Sequence, residues 1–129
     1  MACLVGLLAF ATYVAPTALV RADTGAETLP DDSRIANAWR VLRVVDCARC
    51  HGKSYDGLAA PSIVRYAETQ NREMFIRMVL DGDPPRGMPG YWTNAYVVES
   101  IDDIYRYFLA RAKGEIGPSY RAPMEAERQ

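Results

Sequence analysis

The segment Cys47-Ala48-Arg49-Cys50-His51 constrains this chain most, because it holds two of the three cysteines and the only histidine. Residues three and four positions apart share one face of a helical turn, so these thiols and this imidazole can point toward a single flat ligand. The spacing is typical of c-type haem attachment, in which the thiols add to the vinyl groups and the histidine is the proximal iron ligand. The segment therefore predicts one covalent haem c held by Cys47, Cys50 and His51.

Two other interpretations of the cysteine pair fit the sequence less well. A thioredoxin-like redox pair opens a helix within a strand-helix-strand unit, where the helix N-terminus lowers the thiol pKa, whereas this pair lies at the end of a helical pattern. A structural zinc site needs four ligands, and two thiols with one imidazole leave it one short. Covalent haem attachment is therefore the preferred interpretation.

The second axial position of the iron needs another donor, and in a chain with one histidine the soft thioether of methionine is the natural candidate. Met74 and Met78 fall on a helical pattern, where methionine usually fills gaps in a core, and Met124 lies in a polar tail. Met88 lies in a loop stiffened by glycine and proline that can be laid over the opposite haem face. The sequence therefore predicts Met88 as the distal ligand.

The chain divides by composition into four segments. Residues 1–22 contain an apolar run typical of a secretory signal peptide cleaved after Ala22, which predicts export to the periplasm. If the run stays uncleaved, its length is close to that of a membrane anchor. The remaining segments are predicted to be a flexible lead-in at 23–32, a folded domain at 33–118 and a polar C-terminal tail at 119–129.

Apolar residues at helical spacing predict three main helices and indicate an all-α fold. The first runs from near Ser33 to Cys47, the second from near Thr69 to Asp81, and the last from a capping pattern at Ser100 to Gly114. The loop Gly52–Glu68 has little core of its own, so a large apolar ligand is needed to organise it. The expected architecture is three to four helices with long loops wrapped around one covalently bound haem.

The order of these features resembles a small monohaem class I c-type cytochrome. The likeness covers about residues 35–118 and rests on the haem segment followed by glycine, on Ala60-Pro61-Ser62-Ile63, on Met88-Pro89 and on the closing helix. That helix, Ile101 to Gly114, is similar to the one in cytochromes that serve quinoprotein methanol and alcohol dehydrogenases. The resemblance implies that the carbonyl of Pro61 accepts a hydrogen bond from the outer ring nitrogen of His51 and so raises the basicity of this ligand.

Composition and motifs exclude several functions. The chain has 15 Lys and Arg against 16 Asp and Glu, a net charge of -1 and no basic run, which argues against nucleic-acid binding. It shows no Ser/His/Asp set and no phosphate-binding glycine loop, so we expect no enzyme with its own substrate site. Arg49, Lys53 and Arg86 lie close in sequence to the haem-binding segments and predict a locally basic rim.

The resemblance implies a periplasmic one-electron carrier of methanol metabolism. Its electron donor would be a quinoprotein alcohol or methanol dehydrogenase, and its acceptor a terminal oxidase or another cytochrome of the respiratory chain. One alternative is a general shuttle for another respiratory or denitrifying enzyme. Another is a haem-based ligand sensor or weak peroxidase, which requires Met88 to be absent from the iron.

Overall fold

The computed structural model describes residues 31–123, which form five α-helices and one short 3-10 helix. These are α1 (Asp31–Val45), α2 (Ala48–His51), α3 (Ile63–Thr69), α4 (Arg72–Asp81), the 3-10 helix Pro84–Arg86 and α5 (Ala95–Ala112). Over this range the only extended pairing is an isolated bridge between Asp83 and Met88. The all-α fold class is confirmed.

Two described features lie outside the predicted folded domain 33–118. Helix α1 begins at Asp31, inside the predicted lead-in, while the signal segment 1–22 lies outside the described residues. In the predicted tail, Ala122 is buried, and the ring of Tyr120 lies 6.0 Å from that of Tyr107 on α5. No helix within 31–123 has both the length and the apolar character needed to cross a membrane.

Helices α1 and α5 form the main packing contact of the fold. Apolar residues at helical spacing on both helices contribute to one buried core, whose largest fully buried side chains are Leu42, Phe75, Tyr107 and Phe108. The pair is also joined by a polar network in which Asn37 donates to Ser100 Oγ at 3.1 Å and to Asp103 Oδ2 at 2.9 Å. Arg34 Nε donates to Asp103 Oδ1 at 2.8 Å, so the carboxylate has partners on both oxygens.

The start of α5 corrects the sequence prediction. The helix begins at Ala95, and the side chain of Asn94 caps it by accepting from the Val97 amide at 3.2 Å. Ser100, predicted as the cap, lies inside the helix and is buried against α1. Its hydroxyl bonds a neighbouring helix rather than an orphan amide, because the true cap lies six residues earlier.

Helix α3 lies in the stretch predicted as a loop. Ser62 caps it by accepting from the Arg65 amide at 3.1 Å, and α3 packs on α5 through the buried Ala67. Helix α4 begins after Asn71, whose side chain accepts from the Met74 amide at 2.9 Å. Together α3 and α4 form a second layer on α5, and a cavity opens between this layer and α1.

Candidate cofactor site

A cavity of about 710 Å³ lies between α1, the α2 turn, α3 and the loop after α4. Small-molecule and cofactor sites occupy roughly 300–1,000 Å³. Much of the apolar wall comes from Val41, Leu42, Val45, Ile63, Tyr66, Val79, Val97, Ile104 and Phe108. The five site residues predicted from the sequence all line this cavity: Cys47, Cys50, His51, Pro61 and Met88. Two thiols, an imidazole and a thioether around an apolar space fit a covalently attached haem.

The cysteine turn is separated from α1 by a single residue. Asp46 has a φ of 59°, a left-handed conformation that aspartate tolerates better than most residues, and it ends α1 at Val45. The chain then forms the α2 turn, in which the His51 amide donates to the Cys47 carbonyl at 3.1 Å. The first helix therefore ends before Cys47, whereas its periodicity predicted that it continues into this residue. The α2 turn is a separate helical segment.

The thiol of Cys47 is in an apolar setting. It is half-buried in the cavity wall, and burial raises its pKa to about 11, so at neutral pH it is protonated. A redox-active pair of the thioredoxin type depends on a depressed thiol pKa. The shift at Cys47 has the opposite direction, which argues against that alternative.

The imidazole of His51 is held by the segment that follows it. Its Nδ1 lies 2.6 Å from the carbonyl oxygen of Pro61. A proton on Nδ1 donated to this carbonyl leaves Nε2 as the free, unprotonated nitrogen able to bind iron. The segment is bonded back to the α2 turn, since the amides of Ala59 and Ala60 both donate to the Cys50 carbonyl, at 3.0 and 2.9 Å.

Met88 is presented by a loop whose two ends touch. A Cβ at Gly82 would lie 2.5 Å from the Gly90 nitrogen, so these glycines permit a main-chain approach that side chains would prevent. Met78 on α4 also lines the cavity, whereas Met74 is 39% exposed and does not. The structure therefore brings two thioethers, not one, to the cavity wall, and the distal role of Met88 stays a prediction.

Arg111 on α5 was not among the residues predicted from the sequence; its guanidinium Nη1 donates to the Ser54 carbonyl at 2.8 Å. An arginine in the last turn of a helix usually interacts with the helix dipole and solvent, so its position alone gave no signal. Arg86, predicted for the rim, lines the cavity but bonds Asp83 at 2.8 Å, which offsets its charge.

Comparison with known proteins places this architecture among haem proteins. No family model matches the sequence. Cytochrome c-555 of Methylococcus capsulatus is 30% identical over 111 residues, covering 81% of this chain and 89% of that protein. The quinohemoprotein alcohol dehydrogenase ADH-IIG of Pseudomonas putida is 31% identical over 85 residues, which are 65% of this chain and 12% of the enzyme. The crystal structure of the c-type cytochrome XoxG from Methylobacterium extorquens AM1 superimposes with a TM-score of 0.62 at 26% identity, covering 74% of this chain and 60% of XoxG.

Proposed function

Because the chain belongs to the c-type cytochromes and binds one covalent haem c, we propose that it is a periplasmic carrier between a quinoprotein alcohol or methanol dehydrogenase and the respiratory chain. One observation carries the proposal: the cysteine turn, His51 and Met88 all line one largely apolar cavity. The haem bound there supplies an iron that changes oxidation state by one electron.

The protein's own residues then have distinct tasks. Cys47 and Cys50 hold the cofactor covalently, so that it remains attached through repeated encounters with partners. His51, oriented by the Pro61 carbonyl, would bind the iron through Nε2, and Met88 would supply the second protein ligand. With both ligands bound, the iron would have no open site for a substrate, and we propose that the protein carries electrons without an enzymatic reaction of its own.

The donor is proposed from two sources. The closing helix resembles that of cytochromes serving quinoprotein dehydrogenases, and the matched part of the Pseudomonas putida enzyme is only 12% of its length. In that enzyme, a unit similar to this chain is thus joined covalently to an alcohol dehydrogenase. We propose that the present protein performs the corresponding transfer as a separate partner. Export to the periplasm is proposed from residues 1–22, which lie outside the described residues.

Mixing the purified ferric protein with a quinoprotein alcohol dehydrogenase and its alcohol tests the proposal, with reduction of the haem followed optically. We expect rapid reduction with alcohol present and none in the matched mixture without alcohol. Reduction by other respiratory enzymes but not by this dehydrogenase would identify a general shuttle. Binding of carbon monoxide to the reduced wild type without displacement of an axial ligand would instead indicate a ligand sensor.

A further inference from the structure

Arg111 is the only buried charged side chain among residues 32–123, with 5% of its side chain exposed. A guanidinium is costly to bury unless its N–H groups are bonded. Here one nitrogen donates to the Ser54 carbonyl at 2.8 Å, and another lies 3.6 Å from the Asp56 carboxylate. Burial raises the pKa of the neighbouring Tyr107 phenol, and the Arg111 guanidinium opposes that rise. These neighbours therefore hold this charge in one place.

Two of those partners belong to the short connection that follows His51. Within it, the Tyr55 amide donates to the Gly52 carbonyl at 2.9 Å, and the Gly57 amide donates back to the His51 carbonyl at 3.0 Å. Tyr55 itself has a φ of 62°, a left-handed conformation that costs a non-glycine residue free energy. The connection is therefore strained and needs contacts that hold it in place.

The same connection fixes the residue that orients the imidazole. The Tyr55 carbonyl accepts from the Ile63 amide at 3.0 Å and from Ser62 Oγ at 3.3 Å. Ser62 follows Pro61 directly, and the Pro61 carbonyl lies 2.6 Å from His51 Nδ1. Arg111 thus bonds one end of a path of hydrogen bonds and peptide links whose other end is the histidine ring.

We propose that Arg111 is a positioning residue for His51, which acts by holding the 52–57 connection so that the Pro61 carbonyl stays on Nδ1. The proposal rests on the proposed role of His51 as an iron ligand. An arginine suits this task because its planar group bonds the Ser54 carbonyl and faces the Asp56 carboxylate at once, whereas a lysine ammonium of equal charge lacks that fixed geometry. A positive charge at position 111 is therefore not sufficient for this role without the geometry of arginine.

The test is the exchange rate of the His51 Nδ1 proton in the reduced holoprotein, measured by NMR. Because the chain has one histidine, its signal is unambiguous. In Arg111→Lys we expect the His51 Nδ1 proton to exchange about tenfold faster than in the wild type. The reason is that the hydrogen bond from the charged side chain at position 111 to the Ser54 carbonyl is weakened. The midpoint potential should shift upward at unchanged net charge, since a weaker Nδ1 hydrogen bond makes the imidazole a poorer donor to iron.

Arg34→Lys is the matched control, because Arg34 also bonds α5, but at Asp103 and not through the 52–57 connection. It should lower stability while leaving the His51 proton and the potential unchanged. If Arg111→Lys does not assemble with haem, Tyr107→Phe, which removes the phenol beside the guanidinium, should give a smaller acceleration. An unchanged exchange rate in a folded holoprotein variant would overturn the proposal. A wild type without a haem-bound histidine would overturn the proposed function itself.

Discussion

The main chains of Asp83 and Met88 are hydrogen-bonded to each other in both directions, at 2.9 and 3.1 Å. This pair of bonds closes the loop around the 3-10 helix Pro84–Arg86. After the loop, the Tyr91 amide donates to the Val79 carbonyl at 3.2 Å and connects the end of the loop to α4. The backbone of Met88 is thus fixed relative to a helix, although the residue itself lies outside any helix.

Replacing Met88 by alanine should remove the iron–sulfur bond. We expect Met88→Ala to lose the weak far-red absorption of ferric haem with a methionine ligand and to bind small external ligands at the vacated position. Met78→Ala is the matched control, because Met78 contributes a thioether to the same cavity wall from α4. Optical spectra of the two ferric proteins decide, and loss of the band in Met78→Ala alone would assign the ligand to α4.

The glycines at the base of this loop should differ sharply from the one at its tip. Gly82 and Gly87 have φ values of 73° and 85°, but an added Cβ at Gly82 meets main-chain atoms whereas one at Gly87 meets nothing within 4 Å. We expect Gly87→Ala to lower the free energy of unfolding by about 1 kcal/mol and Gly82→Ala by about 3 kcal/mol. Denaturant unfolding of the holoproteins measures both, and equal losses would contradict the role given to the loop base.

Covalent attachment should depend on both cysteines of the α2 turn. With a cytochrome c maturation system, the wild type should keep its haem stain on a denaturing gel. Cys47→Ala with Cys50→Ala should lose it completely, because no thioether can form. Each single variant should retain a weaker stain through the remaining thiol. Full staining of the double variant would exclude these residues as the attachment points.

Alkaline pH should destabilise the fold through Tyr55. Burial raises the pKa of its phenol from 10.0 to about 12, so its contribution to stability is complete below pH 10 and is lost as pH rises toward 12. Over this range the wild type should lose about 2 kcal/mol more than Tyr55→Phe, in which no phenol can ionise. Unfolding of the reduced protein at several pH values measures this. The control is Tyr96→Phe at a side chain that is 64% exposed, and it should follow the wild type.

The basic rim should steer the encounter with an acidic donor. Arg49 in the α2 turn and Lys53 just after it are exposed, while the charge of Arg86 is offset by Asp83. We expect reduction by the dehydrogenase to slow with added salt, because the Debye length is about 10 Å at 0.1 M. Lys53→Glu should reduce the low-salt rate several-fold. Lys113→Glu makes the same charge change at the end of α5 and should have little effect. A rate that is flat or rises with salt would contradict this model.

The sequence predicted long helices better than short ones. The helical pattern of α5 was visible, yet its start was assigned to Ser100, since a serine followed three residues later by an acid also matches a capping pattern. In the structure Asn37 and Arg34 bond these two side chains from another helix, a tertiary role that no local pattern reveals. Helix α3 was missed because its seven residues are too few to establish a period.

For the site, the sequence was most informative where the chemistry is local. The spacing of Cys47, Cys50 and His51 lies within one turn, so the sequence alone was enough to bring the three residues together. All three residues line the cavity, and their individual roles in holding haem stay predictions. The contribution of Arg111 was not predictable, because it contacts the site's supporting loop from 57 residues away in the chain.

Because hydrogen bonds close the base of the Met88 loop, the tip of the loop can change without moving Met88. Pro84 and Pro85 are exposed and do not line the cavity. Neither residue takes part in the two hydrogen bonds between Asp83 and Met88. A peptide inserted between them would leave the loop base intact, and lengthening a surface loop costs little entropy. The tip is therefore a suitable place to graft a linker, either to tether the protein to an electrode or to fuse it to a dehydrogenase with the cofactor close to the junction.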